Sequence, residues 1–202
     1  GHPYYAYENP DHLRFADQAW SAYVLARVQR APLGTLRALY DNERQKSLTA
    51  LPLVHLGVAL ALQGDKPRGE KALAEAFAKK FERPRYLGDY GSALRDDALM
   101  VALTHQFGLN KPEYDERVIA LGRDLVARKN SQWRWYSTQE QSALARLGKA
   151  LVGNGDAKVA GELSVGGTAT PIDPAPMWSR TFGADELRSG VRVAPLAKVL
   201  HR

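Results

Sequence analysis

Between Thr49 and Gln63 apolar residues occupy nearly every side of a helical wheel, and this run constrains the fold more than any other feature of the sequence. A helix apolar all round belongs inside, packed on both sides. Gly64-Asp65-Lys66-Pro67 is its stop signal, with Pro67 placed for the first turn of the next helix. Arg68–Phe81 then carries Ala72, Leu73, Ala76 and Phe77 on one face and Lys and Glu on the other. The same grammar recurs on either side. Asp11–Arg30 has a stripe of Leu13, Phe15, Ala16, Ala19, Trp20, Tyr23, Val24 and Ala26; Ala31-Pro32 breaks it and Leu33–Tyr40 follows as a short helix. Beyond the loop Arg83–Tyr90 come Ser92–Phe107, a second stop and restart at Gly108–Pro112, and Glu113–Lys129 with Val118, Leu121, Leu125 and Val126 as its stripe. After an aromatic-rich loop, Asn130–Tyr136, the last helix is Ser137–Val152, opened by the capping box Ser137-Thr138-Gln139-Glu140. Leu51-Pro52-Leu53, Asp96-Asp97-Ala98 and Gln139-Glu140-Gln141 hold similar places in a repeat of about 45 residues, which predicts stacked αα-hairpins, as an open solenoid or a closed toroid.

After Asn154 the pattern changes. Val159–Val165 alternates like a strand and enters a turn at Gly166-Gly167; Pro171, Pro174 and Pro176 exclude a helix, and Ser189–Val193 reads as another strand. The predicted organisation is a helical portion over residues 1–153 and a short β segment over 154–202 whose partner strands lie elsewhere, so that the chain stops mid-domain.

The 202 residues include no cysteine, which excludes disulfides, thiolate metal sites and a thiol nucleophile within the chain. No apolar run approaches the ~20 residues of a membrane span. The opening Gly1-His2-Pro3 reads as an engineered or processed piece. A net charge of +6 invites a nucleic-acid reading, but 28 basic residues are dispersed among 22 acidic ones, and even the densest stretch, Arg123–Arg134, contains Asp124. A nucleic-acid footprint concentrates charge on one patch, so no nucleic-acid partner is expected.

Chemistry-bearing motifs are sparse. His2, His12, His55, His105 and His201 include no i,i+4 pair and no His-Glu-x-x-His, so core or capping roles are expected of them and no metal. A phosphate loop and a Gly-x-Ser-x-Gly elbow are both missing. Asp89, Asp96, Asp97 and Glu140 lie near helix N-termini, where a toroid opens its pocket and where paired carboxylates could cleave a glycosidic bond; acidic residues also favour helix starts for the dipole alone, and that reading is preferred. Trp133, Trp135 and Tyr136 either line a groove or plug a gap between helical layers, the second being the commoner role. Tyr4, Tyr5 and Tyr7 form either a frayed terminus or a docking strip.

Four stretches, Gln18–Arg27 (QAWSAYVLAR), Leu56–Asp65 (LGVALALQGD), Tyr90–Leu99 (YGSALRDDAL) and Tyr136–Leu147 (YSTQEQSALARL), together resemble the thioester domain of bacterial alpha-2-macroglobulins. Ala160–Leu187 resembles the return from that domain into the CUB domain that carries it. The resemblance implies a mainly α chain, part of an α/α-toroid of stacked hairpins with a short β C-terminal segment. It implies a large periplasmic inhibitor of endopeptidases: a protease cuts a bait region, the molecule rearranges, and an internal Cys–Gln thioester acylates the attacker. The family's Cys-x-Glu-Gln motif would lie upstream of residue 1, and some members lack it. Thr138-Gln139-Glu140-Gln141 has Thr in the Cys position, so it forms no thioester and is given no catalytic role.

On this reading the chain is a non-enzymatic fragment with no catalytic, cofactor or metal residues of its own. Its partners would be proteases, met through the full-length parent, and proteins of the cell envelope; membrane attachment would come only through a lipid or N-terminal anchor outside the chain. A tetratricopeptide-like peptide-binding solenoid is the first alternative, and a toroid glycosidase using two of Asp89, Asp96, Asp97 and Glu140 the second.

Overall fold

The computed structural model describes residues 9–80, 83, 87–129, 135–152, 159–175 and 178–195. His2, His201, Tyr4, Tyr5, Tyr7, Trp133, Asn154 and Pro176 lie outside them, as do Gly1–Pro3, read above as the start of an engineered or processed piece. The chain divides into two compact units, Gly1–Leu151 and Val152–Arg202.

Among the described residues of the first unit there are seven α-helices: α1 Pro10–Arg27, α2 Leu33–Glu43, α3 Leu51–Leu62, α4 Lys66–Ala78, α5 Ala93–Gln106, α6 Pro112–Lys129 and α7 Thr138–Val152, with a 3₁₀ turn at Arg44–Lys46 after α2. Ten consecutive residues of α3, Leu51 to Leu60, are buried. It touches α1 on one flank, α5 on another, and α2 and α4 on the outside. Burying a side chain such as Leu56 or Leu60 completely contributes about 1.5–3 kcal/mol relative to leaving it exposed. The helices α1, α3, α5 and α7 form an inner row and α2, α4 and α6 the outer one, the arrangement of part of an α/α-toroid. One apolar cluster joins α1 to α4 with Met100, Leu103 and Tyr114; a second joins Leu94, Ala98, Val101 and Ala102 of α5 to Leu121 of α6 and Ala143 and Leu147 of α7.

The inner helices α1, α3 and α5 share one way of ending. Gln29, Gly64 and Gly108 each adopt a left-handed backbone, φ 58°, 91° and 65°. The amide of the very next residue closes back on the helix each time: Arg30 to the Leu25 carbonyl, Asp65 to Leu60 and Leu109 to Thr104, at 2.8–2.9 Å. This is a Schellman stop. Pro32, Pro67 and Pro112 then open the outer helices. Within the hairpin α3–α4, Gly57 and Gly69 face each other so closely that a Cβ built on Gly69 would stand 2.7 Å from the Gly57 carbonyl oxygen.

Two apolar stripes need correction. On α1, Trp20 and Val24 are 55% and 37% exposed, while Phe15, Ala19, Ala22, Tyr23 and Ala26 form the buried face. On α6, Val126 is 62% exposed. In both, the apolar residues cover a wider arc than the neighbouring helices contact.

The described residues of the second unit form a three-stranded antiparallel sheet, order β2-β1-β3, made of β1 Val159–Val165, β2 Thr168–Ala175 and β3 Val191–Pro195. Gly166 and Gly167, at φ 58° and 85°, turn β1 into β2. β2 is an edge strand, which is where Pro171 and Pro174 are tolerated. The expectation that strand partners lie elsewhere is corrected in one respect: β1 is paired on both sides within this chain. The strand expected at Ser189–Val193 begins instead at Val191, because Gly190 (φ 88°) turns the chain and its carbonyl accepts the Gly166 amide at 2.9 Å. Ahead of it stands a five-residue helix, α8 Ala184–Arg188, whose Glu186 carboxylate accepts the Gly183 amide at 2.9 Å.

Candidate functional site

The polar chemistry of the helical unit gathers where the inner helices begin. At α5, the Ser92 hydroxyl accepts the Arg95 amide at 3.1 Å. At α7 the expected capping box is formed: the Ser137 hydroxyl accepts the Glu140 amide at 3.2 Å and the Glu140 carboxylate accepts the Ser137 amide at 2.9 Å. The second Glu140 oxygen accepts from the Ser92 hydroxyl at 2.8 Å, so one buried carboxylate fastens the starts of α5 and α7 together. The start of α3 differs: its N-cap is Ala50, no side chain caps it, and its first turn holds no acid.

Beside these starts lies a compact ion cluster. Asp89 takes both terminal nitrogens of Arg83, at 2.9 and 2.5 Å, one of Arg95 at 3.2 Å, and the Gly91 amide at 3.1 Å. Asp96 takes Arg95 at 2.6 and 2.8 Å and Arg83 at 3.3 Å. Two carboxylates and two guanidinium groups, all nearly buried, thus neutralise each other. Burial pushes the Asp96 carboxyl upward from its ordinary range, opposed by Arg95 and Arg83. Asp97 points elsewhere, to Arg117 of α6 at 2.5 Å, while a second nitrogen of Arg117 holds the Phe77 carbonyl at 2.9 Å; burial pushes Asp97 upward as well.

Of the four acids singled out in the sequence, Asp89 and Asp96 therefore come together, Glu140 joins them only through Ser92, and Asp97 stands apart. General acid–base cleavage of a glycoside needs two carboxylates facing each other across a substrate-wide gap. Here each one is engaged by guanidinium, hydroxyl or amide groups that fasten helix ends.

A cleft of about 270 Å³ opens next to this cluster among α1, α3, α5 and α7, bordered by Trp20, Pro52, His55, Arg95, Gln139 and Arg146. His55 is buried and stacks on Tyr23, ring centroids 5.3 Å apart. Burial, reinforced by Arg146 and Arg95, pulls its pKa down to about 3, so it is neutral near pH 7. Arg146 reaches Gln106 Oε1 at 2.7 and 3.2 Å and the Tyr23 hydroxyl at 2.7 Å. Sequence reasoning named neither Tyr23 nor Arg146 as a site residue. They meet across 123 positions, and no local pattern reports that.

The other described histidines also take structural places. His12 is buried and accepts the Leu48 amide on Nδ1 at 3.2 Å, and burial lowers its pKa; His105 Nε2 lies 2.6 Å from Asp115. Among the described residues no group of three or more His, Asp or Glu is placed to hold a metal ion, and no helix is long and apolar enough to cross a membrane. Trp135 is 87% exposed and plugs no gap, and Tyr136 is half-buried.

Stacked hairpins whose charged groups tie helix starts together, followed by a small antiparallel sheet, define a structural segment of the kind found inside large multidomain proteins. No family model matches the chain. Its sequence is 55% identical over 199 residues to the alpha-2-macroglobulin of Xylella fastidiosa, covering 98% of this chain and 12% of that protein. The structure superposes on Salmonella alpha-2-macroglobulin reacted with methylamine at a TM-score of 0.69 and 33% identity, covering 94% of this chain and 12% of that one. It superposes on Escherichia coli alpha-2-macroglobulin activated by porcine elastase at 0.67 and 32% identity, covering 94% and 16%. By sequence and by fold the chain matches a segment of the bacterial alpha-2-macroglobulin family. It spans about one-eighth of the length of the relatives it matches.

Proposed function

We propose that this chain works as part of a bacterial alpha-2-macroglobulin-like inhibitor that traps endopeptidases after they cut it, and that it contributes a thioester-domain-like helical portion and a CUB-like return. The observation that carries this is the 55% identity over 98% of the chain, running through both the helical unit and the sheet. A relative activated by elastase and another reacted with methylamine support proteases as partners and a thioester as the chemistry of the family. With no cysteine among these 202 residues, any thioester belongs to another part of the parent. The helix-start cluster gives the segment rigidity, and the chain acts as a scaffold with no turnover of its own. The parent resides in the periplasm, where such an inhibitor meets proteases at the cell envelope.

The test is the intact mass of the native protein from its source cells, fractionated by compartment, with and without methylamine. A periplasmic protein several times longer than this chain that gains one methylamine adduct and holds a protease after cleavage is the expected result. A long protein that traps protease without an adduct assigns the parent to a thioester-free form of the inhibitor. A native protein no longer than this chain, or one that leaves proteases free, overturns the proposal.

A further inference from the structure

The cleft beside α3 combines three features that the scaffold role does not use. Arg146 is a guanidinium whose partners among the described residues, Gln106 and Tyr23, are both neutral, so no described carboxylate matches its charge. His55 is 8% exposed, stacked on Tyr23, and makes no hydrogen bond among the described residues although it borders the cleft. The first turn of α3, through Leu51 and Pro52, borders the same space with neither a cap nor an acid. A polar ring that lines a cleft can take its partner there, and an open helix start favours negative charge. Two acids also border the cleft. Asp89 is already shared by Arg83 and Arg95, and Asp17 is exposed at the outer rim.

We propose that this cleft is a carboxylate-binding site, in which Arg146 and His55 donate to the carboxylate and the open start of α3 faces its charge. One unmatched guanidinium beside a neutral imidazole supplies a single positive charge, which suits a monoanion and leaves a phosphate dianion under-compensated. A volume of about 270 Å³ admits a short acid or the end of one acidic side chain. The assignment stands apart from the inhibitor reading and does not depend on it.

The test is NMR of the isotope-labelled chain, following the His55 imidazole and the Arg146 Nε–H during titration with acetate, and separately with N-acetyl-glutamyl-glycinamide, at ionic strength held constant with sodium chloride. Saturable shifts at both side chains are expected, with a rise in the His55 pKa as the carboxylate occupies the cleft. Arg146→Gln should weaken binding roughly tenfold or more. Because Arg146 also holds Tyr23 and Gln106, a second variant is needed. Ala50→Asp places a resident carboxylate at the α3 start, which should stabilise the helix and abolish binding. Saturation by acetate assigns free small carboxylates, and saturation by the peptide alone assigns a polypeptide side chain; either supports the proposal. No saturable shift with either probe, or binding unchanged in both variants, overturns it.

Discussion

Burial of the His55 ring has a consequence for stability, a pH dependence with a defined sign. Burial holds its folded pKa at about 3 against an ordinary 6.5, so the unfolded chain binds a proton through that interval and the folded chain does not. The stabilising contribution is complete above pH 6.5 and is lost as the pH falls toward 3. His55→Phe, which keeps a ring on Tyr23, should flatten the fall in Tm between these limits, and a slope equal to wild type would remove His55 from the account. Gln29 offers a test of opposite sign. It occupies the same left-handed position that Gly64 and Gly108 fill in the next two repeats. Gln29→Gly is expected to stabilise by about 0.5–1 kcal/mol, offset in part by the loss of two long side-chain contacts, to the Ala26 carbonyl and to Gln63, both at 3.4 Å, and thermal melts would show it.

At the level of elements, the hairpin α3–α4 depends on two glycines that let backbones approach. Gly69→Ala should cost about 1–3 kcal/mol through overpacking, read as a lower denaturation midpoint at an unchanged m-value. The stops at Gly64 and Gly108, the prolines that follow, the all-apolar α3 and the capping box at Ser137 were all legible in the sequence, because each is encoded in a few adjacent residues. Other elements were not. Five residues of α8 carry too little periodicity to register, and Gln29 is not a residue that marks a left-handed turn. The outward face of α1 was hidden because Trp20 and Val24 look like core until the neighbouring helices are placed. The site divides in the same way: the acids at helix starts could be named, but the partners that decide their role, Arg83, Arg95, Arg117 and Ser92, are fixed by packing between elements.

For the chain as a whole, the sheet of the second unit sets solution behaviour. β2 and β3 each present an outer edge, and Val193 on β3 is 51% exposed. Exposed edges with apolar side chains pair with other chains. The isolated 202-residue chain should therefore associate as its concentration rises, seen by sedimentation velocity, and Val193→Lys should reduce that association without changing the helical circular dichroism. Association untouched by Val193→Lys would place the contact somewhere other than the β3 edge.

The burial of α3 on all its sides has a consequence for the newly made chain. Its last flanking helix, α5, ends 44 residues after α3 does. At ~5–20 residues per second of synthesis, the segment waits roughly 2–9 s before that neighbour exists. During that interval twelve residues with hardly a polar side chain stand uncovered, which makes Leu51–Leu62 the natural landing place for a chaperone that follows the ribosome.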